Sequence, residues 1–95
     1  MLHVKRMATT ADTDITFSFD VLGFEFLVKN LTDDDILVCL GDTYNEDVSI
    51  LIPAETAQVI TVNKKIHLLV DGTKDITIKP VATSDRGVEV QCLVW

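Results

Sequence analysis

The chain has 95 residues, 47% of them hydrophobic but only 6% aromatic, and a formal net charge of -7. That length makes one domain. The charge repels phosphate backbones and argues against a nucleic-acid partner, and no apolar run approaches the roughly 20 residues of a membrane helix.

With so few aromatics, Val, Ile and Leu carry the core, a composition that favours strands. Residues 1–14, MLHVKRMATTADTD, read as an N-terminal arm ahead of a domain spanning 15–95. Lys5 and Arg6 are not followed by the apolar stretch of a secretory leader, so synthesis in a cytoplasm is expected. Leu2 and Val4 alternate briefly before a small polar run. Fully extended, the arm reaches roughly 46–50 Å, enough to be donated to a neighbouring subunit. Equally, Leu2 to Arg6 could pair with the chain's own sheet.

Ile15, Phe17, Phe19 and Val21 alternate with polar residues, as in a strand with one buried face. At Leu22-Gly23 the phase slips, which a bulge or a tight hairpin would explain. A hairpin would put Val21 and Leu22 at its tip, where apolar side chains call for a covering partner. Phe24, Phe26 and Val28 form the next alternation, and Asn30 to Asp35 breaks it with side chains that compete for backbone hydrogen bonds. Ile36–Leu40 and Val48–Ile52 are apolar on both faces, as expected of strands between two layers or between two molecules. The second ends at Pro53, which cannot donate to a central ladder.

Ala57–Val62 reads as a strand, Asn63-Lys64-Lys65 as a turn, and Ile66–Val70 as a strand joined by Asp71-Gly72, a hairpin signal, to Asp75–Pro80. Ala82–Gly87 reads as a loop, and Val88, Val90, Cys92 and Val94 alternate to the end. Glu55–Gln58 could form one helical turn at most. Eight or nine short strands with frequent turns predict an all-β protein, an antiparallel β-sandwich or barrel-like sandwich.

The only obvious chemistry is acidic. Asp33, Asp34 and Asp35 share one turn, and Asp42, Glu46 and Asp47 another. Two acidic loops meeting at one end of a sandwich could supply oxygens for calcium, with Asp33, Asp35, Asp42 and Asp47 as candidate ligands. The same residues also read as solvated turns that blunt sheet edges. Tyr44 is the one aromatic among them for a sugar platform. His3 and His67 are isolated, no GxSxG, GxGxxG or phosphate loop occurs, and Cys39 and Cys92 read as small buried hydrophobes. Asn30-Leu31-Thr32 matches a glycosylation acceptor. No enzyme activity, cofactor or small-molecule substrate is expected. Leu93 and Trp95, large apolar groups at the end of the last strand, suggest a pocket in this chain or the next.

An alternating strand into Val28-Lys29-Asn30-Leu31-Thr32-Asp33, an Asp-rich turn, Ile36-Leu37-Val38, then Ile50-Leu51-Ile52-Pro53-Ala54 and Gln58-Val59-Ile60 resembles the small β-sandwich virion proteins of tailed bacteriophages. Glu55 stands where those proteins would place a glycine. The resemblance implies a non-enzymatic virion protein, a head decoration or a neck or tail component, made in the host cytoplasm. It would act by self-association or by docking on other virion proteins. Leu2, Val4, Val21, Leu22 and Trp95 are the interface candidates. The alternative is a calcium- or carbohydrate-binding module using the acidic loops.

Overall fold

Residues 2–62 and 72–95 are described by the computed structural model, as two four-stranded antiparallel sheets packed face to face. The strands are β1 (His3–Thr9), β2 (Ile15–Gly23), β3 (Glu25–Asn30), β4 (Ile36–Leu40), β5 (Ile50–Ile52), β6 (Ala57–Thr61), β7 (Thr73–Pro80) and β8 (Ser84–Val94). One sheet runs β1-β8-β3-β6 and the other β2-β7-β4-β5. This is the expected sandwich. The expected strand Ile66–Val70, with His67, the Lys64-Lys65 turn and Asp71 of the hairpin signal, lies outside the described residues.

Period-two alternation sets the core. Phe17, Phe26, Val28, Ile36, Val38, Ile52, Ile76, Ile78, Val88 and Val90 point between the sheets and have no solvent exposure. Phe19 of one sheet meets Phe26 of the other, ring centroids 5.9 Å apart. No helix among the described residues is long and apolar enough to cross a membrane.

The phase slip at Leu22-Gly23 is not a hairpin; β2 shifts register against β7 between Ser18 and Gly23 and then leaves its sheet. β2 pairs with β7 and β3 with β8 and β6, so the chain changes sheets there. Side chains must switch sides to keep facing the common core, hence the slip. Gly23 sits against the interior: a Cβ on it would lie 2.7 Å from Cys92 Sγ and run into the Phe26 ring. Val21 is consequently not a tip residue. It is half-buried and packs on the core.

β1 pairs antiparallel with β8 of its own chain, from His3 opposite Cys92 to Met7 opposite Val88, and after a register shift Thr9 opposite Ser84. Two boundaries also differ from expectation. Among the described residues the one helical turn is 3-10, at Glu46–Val48 with Asn45 as its cap, while Glu55 has φ 57 and lies in the turn just ahead of β6. Most of the expected loop 82–87 belongs to β8, because the Thr9–Ser84 pairing extends that strand.

The double-sided apolar character of β4 has an internal explanation in part. Cys39, on the face away from the core, is covered by the chain's own following loop: its Sγ lies 3.1 Å from the Asn45 carbonyl oxygen and 3.3 Å from the Asn45 amide. Thr77 beside it donates to the Gly41 carbonyl at 2.8 Å. Leu51, opposite Leu37, remains half exposed.

Candidate functional site

The ends of β2 and β8 and the starts of β1 and β3 gather at one end of the sandwich, where Phe24 donates to Val94 O at 2.8 Å and Val62 donates to Phe24 O at 2.8 Å. Among the described residues, large apolar side chains stand open there: Leu2 at 86%, Leu22 at 43%, Leu93 at 39% and Trp95 at 51% exposure. The pairing of His3 with Cys92, continued by one residue, sets Leu2 beside Leu93. The His3 ring packs edge-on to Trp95 with centroids 4.6 Å apart, which orients the indole while leaving half of it exposed. Val4 lies next along β1 on the outer face, opposite Gln91. Of the five interface candidates the fold brings Leu2, Leu22 and Trp95 to one end, places Val4 beside them on the sheet, and turns Val21 inward.

The acidic loops do not converge. Residues 31–35 precede β4 and residues 41–47 follow it, so Asp33 and Asp35 stand at one end of that strand and Asp42 and Asp47 at the other. Each loop spends its polar groups locally. Asp33 pairs with Arg86 at 2.6 Å, Asp34 Oδ1 accepts the Asp35 amide at 2.8 Å, and Asp42 accepts the Thr43 hydroxyl at 3.2 Å. Asn45 accepts the Asp47 amide at 3.0 Å. Among the described residues no three His, Cys, Asp or Glu side chains are grouped to hold a metal ion. Tyr44 lies along the outer face of its sheet with the Lys79 ammonium 5.2 Å from its ring centroid, a cation–π contact.

Two polar clusters escaped the sequence reading. Asn30 and Thr32 are fully buried. The Asn30 amide reaches the carbonyls of Asp34, Ile52 and Pro53, and its oxygen accepts from the Thr32 amide and hydroxyl. The residues that carried the family resemblance thus form a cross-link between the β3–β4 turn and the end of β5, and a buried Asn30 cannot serve as a glycosylation acceptor on the folded chain.

The second cluster is Arg6, Glu89 and Lys29, which stand in register across β1, β8 and β3. Glu89 pairs with Arg6 at 2.8 Å and Lys29 at 3.2 Å, and Gln91 donates to it at 2.9 Å. The Gln91 and Arg6 hydrogen bonds, helped by Lys29 and opposed by desolvation, lower its pKa from 4.5 to about 2. Only the strand register reveals this row, since the three residues are far apart in the chain. No protein-family model, no curated protein and no solved structure matches the chain.

Proposed function

We propose that this chain is a non-enzymatic assembly protein, a virion component of the tailed-phage type, that docks through the apolar end of its sandwich. The observation that carries this is the joint exposure of Leu2, Leu22, Leu93 and Trp95 at one end. Large apolar side chains left in solvent at one end of a fold are a mark of protein–protein contact, and a partly fixed indole is a common anchor at such contacts. The partner is another virion protein or a further copy of the chain.

The test is direct. Particles banded from a lysate of the phage that carries the gene should contain the chain in many copies, as counted by quantitative mass spectrometry. Its absence from such particles would remove the virion role. Leu22→Asp puts a charge on the exposed end while sparing the core, so the variant should fold normally and be depleted from particles by about tenfold or more, the equivalent of roughly 1.4 kcal/mol at the contact. Undiminished incorporation would take that end out of the contact.

A further inference from the structure

Among the described residues four strands lie at sheet edges: β1 and β6 in one sheet, β2 and β5 in the other. An edge exposes a row of unpaired N–H and C=O groups, and soluble proteins guard edges with charge, brevity, proline or irregularity. β1 carries Lys5 and Arg6 and a register shift between Met7 and Thr9. β2 carries Asp20 and a shift between Ser18 and Gly23. β5 is three residues long and runs into Pro53. β6, Ala57-Gln58-Val59-Ile60-Thr61, has none of these guards: no ionisable residue, no proline, and an unbroken register against β3.

The hydrogen bonds at either end of β6 determine which of its groups face outward. Asn30 donates to Thr56 O at 2.9 Å, and Val62 donates to Phe24 O at 2.8 Å. Antiparallel pairing alternates, so Gln58 and Ile60 also turn their backbone groups to β3, while Ala57, Val59 and Thr61 turn theirs to the open edge. Among the described residues no strand takes them.

We propose that β6 pairs antiparallel with β6 of a second copy about a two-fold axis through Val59, joining two four-stranded sheets into one continuous sheet. The outward groups are symmetric about Val59. An axis normal to the sheet sets Val59 opposite its own copy and Ala57 opposite Thr61, and every such pair is of the kind that exchanges both backbone hydrogen bonds. Charge also selects this strip. Two copies at -7 each repel, and β6 is an edge on which they meet without bringing like charges together.

On the outer face the register aligns Val4, Gln91, Leu27 and Val59 in one row. That row would continue through the axis into the partner's Val59 and the partner's Leu27, covering a side chain that is 50% exposed in the single chain. The guarded β1 at the far edge stops further growth, so the assembly closes as a dimer. This contact is separate from the apolar end and stands whether or not the chain is a virion protein.

Sedimentation equilibrium over a wide concentration range tests it, with Val59→Lys and Val59→Glu as variants. The wild type should pass from 10.5 kDa toward twice that mass. Each variant alone sets like charges opposite each other and should raise the dimer dissociation constant about tenfold or more. Mixing the two variants should restore the dimer, as a register that sets Val59 opposite its own copy requires. In the wild type, hydrogen exchange at the Val59 and Thr61 amides should slow as concentration rises, a readout independent of any variant. A mass fixed at the monomer value, exchange at those amides independent of concentration, or a Val59→Lys dimer as tight as wild type would overturn the proposal. A dimer that survives Val59→Lys but dissociates with Leu22→Asp would assign self-association to the apolar end, refuting the edge contact and leaving the docking role intact.

Discussion

The side chain of Asn30 donates to three carbonyl oxygens, those of Asp34 at 2.7 Å, Ile52 at 3.0 Å and Pro53 at 3.1 Å. An amide has two N–H groups, so one of them is shared. Thr32 holds the other side of the group through its amide at 3.0 Å and its hydroxyl at 2.7 Å. Loss of such a buried group costs more than the bonds themselves, because its partners are left without water to replace it. Asn30→Ala should destabilise the fold by about 2–3 kcal/mol. Asn30→Asp keeps the shape but turns a carboxylate toward carbonyl oxygens, and should cost at least as much at neutral pH. Urea unfolding of the three proteins decides this, and an Asn30→Asp midpoint equal to wild type would show that the amide donors contribute nothing. From sequence, Asn30 and Thr32 were legible as turn residues, since turn chemistry is local. Their link to Pro53 was not, because nothing local records which carbonyls converge on a buried amide.

Alternation tells which face of a strand is buried but not which strand lies beside it, and this separates what was legible among the elements from what was not. The β2 and β3 core faces follow directly from the Phe17–Phe19 and Phe26–Val28 spacings. The sheet change at Gly23 leaves the same phase slip as a hairpin, so the apolar tip could not be told from a crossing. The carboxylates of the two acidic turns suit calcium by their chemistry, but alternation does not say whether the turns meet, and β4 holds them apart along its own length. β1 presented a similar ambiguity, and in this fold its close approach to β8 passes directly over Gly87. That residue has φ +64, and a Cβ there would collide with the Met7 carbonyl. Its own carbonyl meanwhile accepts the Leu31 amide at 3.0 Å. Gly87→Ala should therefore cost about 2 kcal/mol or more, from the positive φ and the collision together. The loss should be local: amide exchange along His3–Met7 speeds up, while β4 and β7 in the other sheet keep their protection. Unchanged exchange in β1 would mean that the strand is held independently of Gly87.

At the scale of the whole molecule, lowering the pH protonates many carboxylates at once and relieves the repulsion of a chain carrying -7. Against that general gain stands Glu89, which joins β1, β8 and β3 through Arg6 and Lys29. Arg6 is largely exposed, with 62% of its side chain in solvent, whereas the Glu89 side chain is only 10% exposed, so the low-dielectric end of the row is the carboxylate. Its folded pKa of about 2 lies below the ordinary 4.5 of the unfolded chain. The unfolded state then binds the proton first, and the stability that Glu89 contributes is complete above about pH 4.5 and is lost as pH falls toward 2. Glu89→Gln removes this titration and leaves the other carboxylates in place, so the difference between the two proteins isolates the one group from the general charge effect. The melting temperature of the wild type should exceed that of Glu89→Gln at pH 6, and the gap should narrow through the window from 4.5 to 2. A gap that stays constant from pH 6 to 2 would mean that the carboxylate gains nothing from its partners on folding, and that β1 is held to the sheet by its backbone ladder alone.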